Sequence, residues 1–145
     1  MASDLFTRAQ QFVAILPHAR HLGMEVISAA DGTAVMRMPY SENLIGDPRT
    51  KVIFGGAVSC LLDTTGGLAV LAHDDAHSVM ATLDLRVDYM RAATPGQAIT
   101  ATATCYHVAR SVAFVRATAT DDNTDTPVAT AAGAFSLSHD QKPSA

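Results

Sequence analysis

The stretch from Val52 to His73 reads VIFGGAVSCLLDTTGGLAVLAH and carries almost no charge. Two adjacent glycines, Gly55 and Gly56, open it, and from Ala57 onward it is apolar on nearly every side, which is typical of a buried helix. Ser, Thr and Gly interrupt the run, so it does not read as a membrane span. Its single acid is Asp63. Burying a lone carboxylate costs free energy unless the group is paired with another residue or has a role in function. The fold must therefore enclose this helix, and Asp63 is the first candidate for function.

The segments around the central helix show clear helix and strand patterns. Apolar spacing predicts a helix over Asp4–Leu16, within an N-terminal segment 1–17, with Ser3 or Asp4 as N-cap and Pro17 as its end. The turn-rich segment Tyr40–Lys51 predicts a loop, and 139–145 a loose tail. Two strands are expected before the central helix and four after it, at Leu22–Ala29, Thr33–Pro39, Val79–Arg91, Ala98–Val108, Val112–Thr120 and Val128–Leu137. In the strand Val79–Arg91, alternation places Leu83, Leu85, Val87 and Tyr89 on one face and Thr82, Asp84, Arg86 and Asp88 on the other.

This order predicts one α+β domain over residues 1–145, with helices on one face of a mostly antiparallel sheet. A single sheet covers only one side of the central helix and leaves strand edges unpaired. The chain is 48% hydrophobic and only 17% charged, against about 25% charged residues in an average domain. Much of the surface is therefore expected to be covered by further copies of the chain.

Charge and cysteine content exclude several other classes. The net charge is -4 and no basic patch stands out, so nucleic acid is not an expected partner. The N-terminal segment lacks the basic-then-apolar order of a secretion signal, and no membrane partner is expected, so we expect a cytoplasmic protein. Cys60 and Cys105 are too far apart in sequence to suggest a disulfide framework or a zinc site. We expect no metal and no cofactor.

Glycines at the start of a helix let a ligand approach the backbone closely. The unpaired N–H groups there suit either a phosphate or the oxyanion of an attacked carbonyl. A phosphate loop needs a Gly-Lys-Ser/Thr ending, and a serine-nucleophile elbow needs Gly-x-Ser-x-Gly around Ser59. Neither pattern is present. What remains is Asp63 as a general base or nucleophile beside backbone donors.

Helical spacing places a limit on such a site. Gly56 and Asp63 are seven residues apart, which corresponds to about 10 Å along a helix axis. They cannot both contact one carbonyl, where contacts near 3 Å are required. A second copy of the helix, running antiparallel in a dimer, would bring Asp63 of one subunit to the helix start of the other. We therefore predict an active site shared between subunits.

The motifs of this chain resemble those of hotdog-fold acyl-CoA thioesterases of the phenylacetate-pathway (PaaI-like) branch. The family pattern is His-Gly-Gly, then Leu-x-Asp, then Gly-x-Ala. It stands here as Phe54-Gly55-Gly56, Leu61-Leu62-Asp63 and Gly67-Leu68-Ala69. The segments Thr82–Gly96 and Arg110–Phe114 resemble the later strands of the family. The resemblance implies a sheet wrapped around a central helix, homodimers often paired into homotetramers, and hydrolysis of an acyl-CoA to acid and CoA.

By position, the resemblance assigns roles to several residues. Asp63 matches the catalytic carboxylate, and Gly56, with Gly55 beside it, matches the amides that bind the oxyanion. Thr82 matches a Ser/Thr that places the water in some relatives. Arg91 and Arg110 are candidates for binding CoA phosphates.

Two positions depart from the family pattern. The histidine before Gly-Gly is Phe54 here, which removes a polar group from the thioester site and makes Phe54 a wall of the acyl pocket. Asp47 falls near an Asn of the relatives, by a loose match, and adds a negative charge where an amide is usual. Both departures bear on rate and substrate, while Asp63 and the glycine amides are retained.

Several alternatives stay open at this point. Asp63 could be a structural helix acid bonded to Thr64 or Thr65. With Phe54 in place of histidine, the protein could be a non-catalytic hotdog module that binds acyl-CoA. A hotdog dehydratase ranks last, because such sites pair an acid with a histidine and none is near Asp63 in sequence. Scattered histidines are expected in surface or packing roles: His18, His21, His73, His77, His107 and His139.

Overall fold

The computed structural model of the protein describes residues 2–76 and 79–138. Three helices are present in this part of the chain: α1 (Ala2–Ile15), α2 (Pro17–His21) and α3 (Gly55–Leu71). The strands are β1 (Glu25–Ala30), β2 (Thr33–Met38), β3 (Ile45–Asp47), β4 (Val52–Ile53), β5 (Val79–Tyr89), β6 (Ile99–Val108), β7 (Val112–Thr120) and β8 (Ala129–Leu137). His77, His139 and the expected tail 139–145 lie outside the described residues.

Six strands form one antiparallel sheet in the order β1-β2-β6-β7-β8-β5. Helix α3 packs across it, against β2, β5, β6 and β7. Leu61, Leu62, Leu68 and Val70 of α3 are almost completely buried. The predicted α+β class is confirmed, and a sheet packed around a long apolar helix is the hotdog arrangement that the sequence resemblance implied.

One local prediction was wrong. The segment 40–51 is not a plain loop: it holds a 3-10 turn at Glu42–Leu44 and strand β3, which pairs with β4. Helix α1 ends at Ile15, before Pro17. Pro17 then begins a further short helix, α2, that the sequence pattern does not indicate, because proline is well suited to the first position of a helix. The small ribbon is tied to the central helix, since the N–H of Phe54 donates to the carbonyl of Leu44 at 2.7 Å.

Strand β5 contains bulges that change which way its side chains point. Thr82 pairs with Phe135, whereas Asp84 pairs with Ala134, so Leu83 is an extra residue in the ladder. Such an insertion reverses the alternation on one side of it. Thr82 and Tyr89 therefore both face α3, and the predicted separation of these two residues onto opposite faces was wrong. The bulge is what brings Thr82 to the helix.

Strand β5 is also an edge of the sheet, and Leu83, Tyr89 and Met90 beside that edge are more than half exposed. Unpaired edges with apolar side chains favour association with another chain. In the part of the chain that the structure describes, no helix has the length and hydropathy needed to cross a bilayer.

Candidate active site at the start of the central helix

Asp63 lies on α3 and is half-buried. The hydroxyl of Thr82, on β5, donates to one of its carboxylate oxygens at 2.6 Å. The hydroxyl of Thr65, two residues further along α3, donates instead to the carbonyl of Leu61 at 2.6 Å, so it does not bind the carboxylate of Asp63. The structure thus brings together Asp63 and Thr82, two residues that the sequence had marked separately, through the bulge in β5.

The first turn of α3 presents free backbone donors. Phe54 is its N-cap residue and supplies no side-chain cap, and the N–H of Ala57 donates back to the carbonyl of Phe54 at 3.0 Å. Within residues 2–76 and 79–138, no acceptor binds the N–H of Gly55 or Gly56. We call these two N–H groups the helix-start amides. Because the helix dipole places partial positive charge here, they suit an anionic oxygen.

A cavity of about 440 Å³ opens beside the helix-start amides. Its walls combine apolar side chains with a few polar groups: His18, Leu22, Asn43, Leu44, Ile45, Gly46, Phe54, Gly56, Ala57 and Cys60. Such a mixture is usual for a site that takes a largely apolar ligand. Phe54 lines this cavity and is 62% exposed; its role as a wall of an acyl pocket stays a prediction.

The sequence reasoning missed two polar residues of this cavity, His18 and Asn43. His18 belongs to α2, a short helix that the sequence pattern does not indicate, and the sequence alone favours a surface or packing role for it. Asn43 lies in the 3-10 turn, where its N–H donates to the hydroxyl oxygen of Ser41 at 3.3 Å. Asn43 stands four residues before Asp47 in the same turn-rich segment, so an amide search of that segment would have found it.

Asp47, in contrast, is not part of the cavity wall. Its carboxylate accepts the N–H of Arg49 at 2.9 Å and lies 3.5 Å from the Arg49 guanidinium. These hydrogen bonds, above all the one from the Arg49 backbone, lower the pKa of Asp47 below its ordinary value. Within one protomer Asp47 therefore acts as a turn residue of the β3–β4 ribbon.

The two predicted phosphate ligands lie in different settings. Arg91 forms a bidentate pair with the buried carboxylate of Asp121, with both distances 2.7 Å, and also donates to the carbonyl of Thr126 at 2.8 Å. These contacts commit most of its donors to the structure, so we leave Arg91 out of the site. Arg110 lies exposed in the turn between β6 and β7.

The position of Arg110 can be traced from backbone contacts. The N–H of Cys105, near the end of β6, donates to Gly32, whose own N–H donates to Ala72 after the end of α3. Arg110 follows β6 and thus lies toward the C-terminal end of α3, remote from Gly56 in the same protomer.

Tyr89 makes a second link between β5 and α3. Its hydroxyl donates to the carbonyl of Gly55 at 2.7 Å and also forms a short hydrogen bond with the hydroxyl of Ser59. A side chain on Gly55 would meet the Tyr89 ring, and one on Gly56 would overlap the Phe54 ring. Each glycine of the pair therefore admits one aromatic ring to the helix start.

Cys60 also lines the cavity. Burial, with a smaller contribution from the nearby charge of Asp63, raises the pKa of its thiol. A thiol that stays protonated is a poor nucleophile. Cys60 is therefore not assigned as the nucleophile.

The fold and this site define a hotdog domain. Its central helix begins with the two free helix-start amides, and further along it carries the carboxylate of Asp63, which accepts a hydrogen bond from Thr82. Comparison with known proteins gives the family. The chain belongs to the thioesterase superfamily, whose family model matches residues 50–128.

Several known proteins are similar to this chain. A crystal structure from Pseudomonas aeruginosa is 37% identical, with a TM-score of 0.83 over 92% of this chain and 99% of that one. The PaaI protein of the Escherichia coli phenylacetic acid degradation operon shares the fold at 20% identity, with a TM-score of 0.82 over 95% of this chain and 96% of that one.

Two curated relatives carry activity names. YigI of Escherichia coli K12, a medium/long-chain acyl-CoA thioesterase, is 28% identical over 120 residues, which is 74% of this chain and 77% of YigI. A putative esterase of Halobacterium salinarum is 43% identical over 76 residues. That match spans half of this chain and half of the relative.

Proposed function

We propose that this protein is an acyl-CoA thioesterase, which hydrolyses a thioester to a carboxylic acid and free CoA. The observation that carries the proposal is the 2.6 Å hydrogen bond from Thr82 to Asp63. It holds a half-buried carboxylate on the same helix whose first turn offers free amides. Membership of the thioesterase superfamily supports this chemistry.

The helix geometry supports a site formed by two subunits. Gly56 and Asp63 lie on the single continuous helix α3, so their separation along its axis is about 10 Å. One thioester cannot contact both groups of the same protomer. In a dimer with antiparallel α3 helices, the amide of Gly56 faces Asp63 of the other subunit, and the exposed apolar edge at β5 is covered.

In the proposed mechanism, the thioester carbonyl lies at the start of one α3 helix and accepts the N–H of Gly56. Asp63 of the other subunit, held by Thr82, takes a proton from water, whose oxygen attacks the carbonyl carbon. The oxyanion collapses, the C–S bond breaks, and the proton passes from Asp63 to the leaving sulfur. A positioned base contributes about 10²- to 10⁴-fold in rate, and one oxyanion donor about 10²- to 10³-fold.

The acyl chain fits the cavity beside Gly56. Leu22, Leu44, Ile45 and Phe54 give that cavity apolar walls, which would bury an acyl group after it leaves water. The name of YigI, a medium/long-chain acyl-CoA thioesterase, supports an aliphatic acyl group. Arg110 of a neighbouring protomer remains our candidate for the CoA phosphates.

The direct test is a thiol-release assay with short-, medium-, long-chain and aromatic acyl-CoAs. We expect release of free CoA from at least one of these classes, with the medium- or long-chain substrates preferred. Tight binding of CoA thioesters without thiol release from any of them would instead identify a non-catalytic acyl-CoA-binding module. The observation that favours this second function is that Phe54 stands where the resembled family has histidine.

A further inference from the structure

We propose that Tyr89, supported by Ser59, is a positioning residue that fixes and polarises the peptide group joining Gly55 to Gly56. This inference deepens the proposed function, because the N–H of that peptide is the proposed oxyanion donor. It assigns a role to two hydroxyl groups that the mechanism above does not use.

The direction of the hydrogen bonds follows from what each atom can do. The carbonyl of Gly55 can only accept, so the single proton of the Tyr89 hydroxyl points toward it across 2.7 Å. The short contact between Tyr89 and Ser59 must then be donated by Ser59. The three groups form one chain, from the Ser59 hydroxyl to the Tyr89 hydroxyl to the carbonyl of Gly55.

This series of hydrogen bonds ends at the carbonyl oxygen of Gly55. The carbonyl of Gly55 and the N–H of Gly56 belong to the same planar peptide group. A hydrogen bond accepted by the carbonyl draws electron density toward oxygen and makes the N–H a stronger donor. Successive hydrogen bonds strengthen one another by about 10–30%. Tyr89 therefore both orients the plane of this peptide and strengthens its N–H toward a developing oxyanion.

The surrounding residues agree with this role. Tyr89 reaches the helix start because the bulge in β5 is followed by regular alternation that turns Leu85, Val87 and Tyr89 toward α3. A side-chain atom added at Gly55 would lie 3.2 Å from the Tyr89 ring, so the glycine allows this close approach. The other glycine of this peptide, Gly56, lies against the ring of Phe54.

The first test is kinetic, with Tyr89→Phe, which removes the hydroxyl and keeps the ring. If the hydrogen bond adds 10–30% to a donor worth 10²- to 10³-fold, kcat should fall about 2- to 8-fold. KM should change by less than about twofold, because substrate binding is little affected. Ser59→Ala should lower kcat in the same direction by less, and adding it to Tyr89→Phe should have little further effect. Tyr106→Phe, an exposed tyrosine that lies over Arg116 on β7, is the control and should leave kcat unchanged.

The second test is spectroscopic and does not depend on activity. The chain contains 9 glycines, and only Gly55–Gly56 and Gly66–Gly67 are adjacent pairs. Protein labelled with ¹³C-carbonyl and ¹⁵N glycine therefore gives two signals in a spectrum that correlates an amide with the preceding carbonyl. In Tyr89→Phe, the Gly56 amide and Gly55 carbonyl signals should move upfield, while the Gly67 signal, from the middle of α3, stays in place.

The outcomes separate this inference from the proposed function. An unmoved Gly56 signal, or a kcat that is the same in Tyr89→Phe and wild type, would overturn the inference even in an active thioesterase. If the wild-type protein released no thiol from any acyl-CoA, the proposed function would fail. The shift of the Gly56 signal in Tyr89→Phe would still decide whether Tyr89 polarises the peptide.

Discussion

The hydroxyl of Thr82 donates to the carboxylate of Asp63 at 2.6 Å, and this bond joins the edge strand of the sheet to the central helix. It occupies one carboxylate oxygen, and no other donor among the described residues binds the second one. The bond fixes the orientation of the carboxylate while one oxygen stays available to a water molecule. That arrangement is what a general base requires.

The first prediction concerns the charge of Asp63. Asp63→Asn keeps the shape of the side chain and removes its basicity, so kcat for any thioester substrate should fall by at least about 10²-fold. Steady-state thiol release measures this. Asp84→Asn, which changes an exposed acid on strand β5, should retain wild-type activity. Undiminished hydrolysis in Asp63→Asn would rule out the proposed mechanism.

The second prediction concerns the hydroxyl of Thr82. Thr82→Val has nearly the same shape but cannot donate to Asp63, so the carboxylate loses its fixed orientation. We expect kcat to fall about 10- to 150-fold, since a hydrogen bond to a charged group is worth about 1.5–3 kcal/mol. Thr102→Val, on an exposed position of β6, is the matched control. Equal kcat values in the two variants would show that Thr82 contributes to the strand and not to catalysis.

The order of the main elements could be predicted from the sequence, because each depends on a local pattern. Apolar periodicity marked α1, α3 and the six strands of the main sheet. The orientation of Thr82 could not be predicted, since it depends on how β5 pairs with β8 around Leu83. A bulge of this kind is a property of two strands together, and the alternation within one strand does not reveal it.

The candidate site shows the same division. Asp63 and Gly56 could be found because an acid and a glycine pair stand out in an apolar helix. Asn43 and His18 were missed because they reach the cavity only through the 3-10 turn and α2, short elements with weak sequence patterns. Arg91 looked like a free cation in the sequence, but its partner Asp121 lies 30 residues away and meets it only in the fold.

The third prediction concerns the buried ion pair of Arg91 and Asp121. The Asp121 side chain is fully buried and accepts further bonds from Thr94 and Asn123 at 2.9–3.0 Å. Removing its charge in Asp121→Asn leaves the partly buried guanidinium of Arg91 without its counter-ion. The free energy of unfolding at neutral pH should fall by about 3 kcal/mol. Urea denaturation measures it, with the exposed neighbour Asp122→Asn as control.

The pH dependence of this pair has a definite sign. The Arg91 guanidinium, together with the bonds from Thr94 and Asn123, holds the pKa of Asp121 far below its usual range. A lowered pKa in the folded state stabilises the protein above the ordinary value, near 3.9. The stabilisation is lost as pH falls below that value. The stability difference between wild type and Asp121→Asn should therefore be largest at neutral pH and narrow below about pH 4. A difference that stayed constant would contradict the assigned pair.

The last prediction tests whether the site is shared between subunits. Asp63→Asn removes the base, and Gly56→Ala adds a methyl that would overlap the ring of Phe54, so this ring must shift from its place beside the helix-start amides. Each variant alone should be nearly inactive. In a heterodimer of the two, one site combines an intact Gly56 from one subunit with an intact Asp63 from the other. Refolding an equal mixture should thus restore about a quarter of wild-type activity, since half of randomly paired dimers are mixed and each has one of two sites. Refolding each variant by itself is the control. If each protomer used its own Asp63 and Gly56, the mixture would stay as inactive as its components.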